Sequence, residues 1–160
     1  VILVAVGTFV HGFDELVEAA DRAVEVLGAI GFAQIGHGRY LPVAMRWARF
    51  LPAPTLRARL REASVVVCHG GIGLLGEAMR AGRPIVAVPR RGATTRAHPA
   101  NDQTAFLRRL ADRFPITVCE HPAELTSALC QRLALAPPSY DVQSDIPDLV
   151  AGYLAGRKVR

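Results

Sequence analysis

Residues 64–78 run from an apolar stretch, Ser64 to Cys68, into His69-Gly70-Gly71-Ile72-Gly73 and then into the helical pattern Leu74-Leu75-Gly76-Glu77-Ala78. Glycines at 70, 71 and 73 let the backbone come close to a ligand, and a helix that starts there offers unpaired N–H groups and a positive dipole end to an anion. This is phosphate-binding chemistry. Glu77, about one turn into the helix, stands where a carboxylate accepts ribose hydroxyls while the phosphates sit at the helix start. The alternative is a tight strand-to-helix turn with Glu77 solvated, and a short glycine motif alone separates the two only weakly.

The other polar residues each carry two readings. His69 either orients the glycine turn from the strand end or touches the ligand. Arg90, Arg91 and Arg96 are solvated charges or a guanidinium fork for phosphate. His98 lies in the same polar loop, and His11 near the loop after the first strand. Cys68, Cys119 and Cys130 form no CxxC pair and no even disulfide framework; reduced thiols are expected, with Cys119 and Cys130 as small buried apolar residues. The five histidines lack metal-ligand spacing, so no metal and no cofactor are expected. The chain also lacks a nucleophile beside a base or a carboxylate pair with acid/base spacing.

The elements that must hold these residues alternate between short apolar runs and helical patterns, which predicts an α/β fold with a parallel sheet covered on both faces. Strands are expected at 1–6, 32–35, 48–51, 65–68, 85–88 and 116–119, and helices at 13–27, 55–63, 74–81, 101–113 and 122–133. In the first helix Leu16, Val17, Ala20, Val24 and Leu27 form an apolar stripe, with Asp14, Glu15, Glu18 and Asp21 opposite. In such a sheet ligands bind beyond the carboxyl ends of the strands. Gly7-Thr8, Gly36-His37-Gly38-Arg39, the His69 turn and the segment 90–103 all fall at those ends. Four loops on one edge make a constellation of a weak motif. After Ala136-Pro137-Pro138 the character changes, so a domain is expected over 1–136 and a tail over 137–160. There Leu149, Val150, Tyr153 and Leu154 give a short apolar stripe within 146–155, folded back on the domain or docked on a second chain.

A chain of 160 residues can bury a proper core, and 51% hydrophobic against 21% charged residues excludes wholesale disorder. The net charge of +5 suits a phosphorylated ligand or an anionic membrane face. Aromatic residues are not interleaved with basic ones, so no nucleic-acid partner is expected. No apolar run reaches the ~20 residues that span a bilayer, and the expectation is a soluble or peripheral protein.

Four segments carry a resemblance: VAVGTFVHGFDELVEAAD (4–21), QIGHGRYLP (34–42), HGGIGLLGEAMRAGRPIVAVPR (69–90) and HPANDQ (98–103). Over about 1–129 the chain resembles the Rossmann-like, C-terminal donor-binding half of GT-B enzymes of glycosyltransferase family 28. It is similar in particular to small stand-alone subunits of the bacterial exopolysaccharide PssE type, and to the catalytic subunit of the two-part UDP-GlcNAc transferase of dolichol-linked glycan synthesis. The resemblance implies that Gly71, Ile72, Gly73 and Leu74 bind the donor diphosphate, with Gly7 and Thr8 closing over it. It implies that Glu77 binds the uridine ribose, that Asn101, Asp102 and Gln103 hold the donor sugar and not the nucleotide, and that His98 lies near that sugar.

Two departures stand out. Leu74 replaces a Ser or Thr whose hydroxyl helps bind phosphate, and Asn101-Asp102-Gln103 replaces Asp-His-Gln. By resemblance the chain is the UDP-sugar-binding, catalytic subunit of an inverting, metal-independent glycosyltransferase that acts on a lipid-linked saccharide. A separate membrane-associated subunit would supply the acceptor half, and would hold the chain peripherally at the cytoplasmic membrane face. The catalytic base is not identified. The rivals are a non-catalytic nucleotide-sugar-binding or scaffold subunit and a fragment related to UDP-sugar epimerases.

Overall fold

The computed structural model describes residues 1–92 and 102–141. Six strands, β1 (Ile2–Ala5), β2 (Gly31–Gln34), β3 (Arg46–Ala48), β4 (Val65–His69), β5 (Ile85–Val88) and β6 (Thr117–Val118), form one sheet in the order β3-β2-β1-β4-β5-β6. Every pairing is parallel. The helices are α1 (Asp14–Val26), α2 (Ala53–Glu62), α3 (Ile72–Arg80), α4 (Thr104–Ala111) and α5 (Leu125–Ala134), the last entered through a 3-10 turn at Pro122–Glu124. This is a Rossmann-like, doubly wound order that reverses between β1 and β4, and in open α/β sheets ligands bind beyond the strands' carboxyl ends at such a reversal.

Each face of the sheet has its own core. Ile2, Val4, Val65, Val67 and Val86 pack with α1 and α5, while Leu3, Val66, Cys68, Ile85 and Ala87 pack with the residues of α2, α3 and α4. Successive side chains of a strand point to opposite faces. A strand buried on both therefore reads as an unbroken apolar run, as β1 and β4 do.

The expected elements are present, with shifted bounds. The third strand is Arg46–Ala48 and not 48–51. It lies at the sheet edge, where Arg46 and Trp47 are exposed, so an apolar run was the wrong signal. Helix α3 starts at Ile72, two residues before the expected 74, with Gly71 as its N-cap and Gly73 inside its first turn. Helix α2 starts at Ala53, with Pro54 in its first turn, where a missing N–H costs nothing. Asp21 is buried and not on the solvent side of α1: its carboxylate accepts the Tyr40 hydroxyl and the Val43 and Ala44 N–H groups, standing in for strand pairing in the loop before β3. Cys130 is exposed, contrary to expectation, whereas Cys68 and Cys119 are buried. The expected helix at 146–155 and Arg96 lie outside the described residues. Tyr140 packs against the second core and donates to the Arg83 carbonyl at 2.9 Å.

Candidate functional site

At the carboxyl ends of β1 and β4 the loop after β1 and the glycine turn face each other across the His69 ring. Among the described residues no side chain caps α3, and its first backbone bond runs from Leu75 N–H to Gly71 O. The N–H groups of Ile72, Gly73 and Leu74 therefore have no partner within the helix. The Ile72 side chain is 74% exposed, whereas Leu74 packs against the second core. A leucine at 74 thus serves packing, and only its backbone faces a ligand.

The glycines here have different causes. A Cβ on Gly71 would collide with the His69 imidazole, and one on Gly7 would sit 2.9 Å from its Cε1; Gly7 also has φ +72°. The ring fills the space between the two loops, so side chains are excluded on both sides of it. Gly73 meets no such wall among the described residues, since outside its own helix backbone none of their atoms lies within 4 Å of its Cβ position. A glycine in a helix costs about 0.5–1 kcal/mol relative to alanine. Nothing in the fold requires it at 73.

Three residues lock this frame. Gln34, the lone polar side chain at the end of β2, accepts Gly7 N–H at 2.9 Å and donates to Gly7 O at 2.9 Å and Arg49 O at 2.8 Å. Gln103 Oε1 accepts from both Gly70 N–H (2.9 Å) and Arg90 N–H (3.1 Å), and Gln103 N–H donates to Arg90 O at 3.0 Å. Arg90, expected in a polar loop, is buried: it donates to Val6 O at 3.1 Å and to Gly12 O, and lies 4.6 Å from the Phe13 ring centre. Sequence reasoning missed Gln34 and misplaced Arg90. The available signal was a glutamine ending a buried strand, which must satisfy its amide.

Electrostatics at this end are positive. Arg90 forms no ion pair among the described residues, and burial lowers its pKa to about 10. Its charge adds to the α3 dipole. Burial first, and Arg90 second, push His69 down to about 4, so the imidazole is neutral near pH 7. Arg91 is paired with Glu120 at 3.0 Å.

Of the expected site residues, Gly7 and Gly71 flank the His69 ring, Thr8 follows Gly7 in the loop after β1, Ile72, Gly73 and Leu74 make the first turn of α3, and Glu77 lies one turn further along. The Glu77 carboxylate is partly exposed and reaches Arg80 at 3.2 Å and Arg57 at 3.5 Å. Asp102 accepts Thr104 N–H at 2.8 Å before α4, and that bond is the first cause of its lowered pKa. The Gln103 amide oxygen is already committed, which leaves its NH2 group for a ligand. His98 and Asn101 lie outside the described residues. Among those described, no three His, Cys, Asp or Glu side chains lie together as a metal set.

Comparison with known proteins places this geometry. A curated relative, the mouse "UDP-N-acetylglucosamine transferase subunit ALG13", is 32% identical over 96 residues, covering 53% of this chain and 8% of that protein. The calicheamicin glycosyltransferase CalG4 superposes with a TM-score of 0.64 at 21% identity, over 84% of this chain and 34% of its own. Acinetobacter baumannii MurG gives 0.56 at 21% identity, over 81% and 41%. The UDP-GlcNAc 2-epimerase of Methanocaldococcus jannaschii gives 0.68 at 11% identity, over 97% and 45%. At these identities the solved structures show a shared fold, and the chain spans less than half of each. The family description "Glycosyltransferase family 28 C-terminal domain" matches residues 1–134, and the chain belongs to that family.

Proposed function

We propose that the chain is the UDP-sugar-binding, catalytic subunit of a two-component inverting glycosyltransferase, acting on a lipid-linked saccharide in polysaccharide or glycan synthesis. The observation that carries the donor assignment is the start of α3, which no side chain caps among the described residues and where none of their atoms outside the helix's own backbone lies within 4 Å of a Cβ on Gly73. The donor diphosphate lies on the N–H groups of Ile72, Gly73 and Leu74, against Gly7 and Thr8. Glu77 leaves its exposed arginine partners for the ribose hydroxyls; such surface pairs hold it weakly. The Gln103 amide donates to a sugar hydroxyl, beside Asp102, Asn101 and His98.

The departing UDP is stabilised by fixed donors and charge, the helix-end amides and the buried Arg90, which need no rearrangement as negative charge develops. No metal is assigned a part. The acceptor-binding subunit is a separate membrane-associated protein, as the word subunit in the mouse relative's name suggests, and it holds the chain at the cytoplasmic membrane face.

Calorimetry with UDP, UDP-sugars and non-uridine nucleotides tests the site, and absence of UDP binding overturns it. Sugar transfer to a polyprenyl-diphosphate acceptor, assayed with and without a co-expressed membrane partner, tests the two-component reading. Little transfer is expected from the chain alone. Robust transfer by the purified chain alone overturns partner dependence. UDP binding without transfer in the partner's presence favours a scaffold subunit.

A further inference from the structure

We propose that the free edge of the sheet docks directly on an anionic lipid bilayer through Arg39, Leu41, Val43, Arg46, Trp47 and Phe50. Among the described residues strand β3 ends the sheet and pairs only with β2. In and beside it four large apolar side chains face solvent: Val43 is 91% exposed, Leu41 47%, Phe50 45% and Trp47 38%. The loop that carries the first two is held in place. Asp21 accepts the N–H groups of Val43 and Ala44, and Asp14 accepts those of Arg39 and Tyr40. Fixed hydrogen bonds therefore present apolar groups to the outside.

Charge identifies what covers them. From Val26 through Arg61 the sequence has six arginines and no aspartate or glutamate. Arg39 and Arg46 are exposed and form no ion pair among the described residues. An apolar protein groove would gain nothing from this surplus of cations. An anionic bilayer answers both features: tryptophan and aliphatic groups enter the headgroup boundary, while guanidinium groups stay with the lipid phosphates. Phe50 also packs edge-on against His37, ring centres 5.0 Å apart, in the loop after β2. A bilayer on this edge lies beside the candidate site. The inference concerns the surface alone and does not depend on the donor assignment.

The chain contains a single tryptophan, Trp47, so its own fluorescence reports the event. The 160-residue protein is mixed with vesicles of phosphatidylcholine alone, or of phosphatidylcholine with phosphatidylglycerol, and followed by sedimentation and emission. Binding and a blue shift are expected only with the anionic vesicles, and both should weaken with salt. Arg39→Gln with Arg46→Gln should weaken binding about 25-fold, roughly fivefold per arginine. Val43→Asp should abolish the blue shift, with thermal melts confirming that both variants fold. Arg109→Gln with Arg113→Gln, the same charge change on exposed residues of and beyond α4, should have little effect. The proposal fails if anionic vesicles leave Trp47 unshifted, if Val43→Asp binds like the parent, or if the Arg109 and Arg113 pair costs as much. It fails too if these variants instead disrupt a complex with a co-expressed protein while vesicles are ignored.

Discussion

Replacing Gly73 by alanine should raise stability and lower donor affinity together. Outside the helix's own backbone the added methyl meets no atom of the described residues within 4 Å, and residue 73 lies in the first turn of α3, so the fold gains helix propensity without strain. The gain is about 0.5–1 kcal/mol, read as a shift of the urea midpoint at constant slope. The same methyl occupies the approach to the Ile72 and Leu74 amides. Losing one hydrogen bond to a charged phosphate costs about 1.5–3 kcal/mol, roughly 10- to 150-fold in Kd for UDP by calorimetry. Gly71→Ala makes the contrast, because its methyl strikes the His69 ring and overpacking of this kind costs about 1–3 kcal/mol. In a His69→Ala background that penalty should shrink, giving a measurable coupling energy. A Gly73→Ala protein that binds UDP as tightly as the parent would refute the assignment of the helix start to the diphosphate.

Glu77→Ala should weaken UDP binding by roughly 1.5–3 kcal/mol while leaving stability nearly unchanged, since its arginine partners are exposed; unchanged affinity would remove it from the ribose site. Gln103→Leu should cost about 1–3 kcal/mol of stability and weaken plain UDP as well as the UDP-sugar, because the Gly70 and Arg90 amides lose their shared acceptor. Gln103→Glu keeps that acceptor and should recover stability but not sugar transfer; equal stability of the two variants would count against the bridge. Stability should also fall as pH drops from about 6.5 towards about 4, then level off, because in that window the unfolded chain binds a proton that folded His69 refuses. At ~1.36 kcal/mol per pKa unit the loss is at most about 3 kcal/mol, and a folded His69→Gln variant should show a flatter profile in denaturant titrations.

Those predictions rest on two kinds of information. The doubly wound fold was legible from the chain alone, because strands buried on both faces must be apolar, as β1 and β5 are throughout and β4 is up to its last residue, His69. The strand-to-helix break at the glycines was legible for a similar reason: it is a local event, set by backbone geometry. Edge strand β3 was placed two to three residues late, since an edge faces water and its pattern is not apolar. What tertiary structure alone decided was the assignment of polar side chains between ligand and frame. Gln103 and Arg90 have the composition of ligand contacts, yet packing commits the oxygen of one and the guanidinium of the other to backbone groups far away in sequence. Hydrogen-bond partners 13 to 84 residues apart leave no periodicity in the chain. The same holds for the glycines: residue type put Gly71 and Gly73 in one motif, and only the position of His69 shows that a side chain at 71 would strike its ring whereas one at 73 would not.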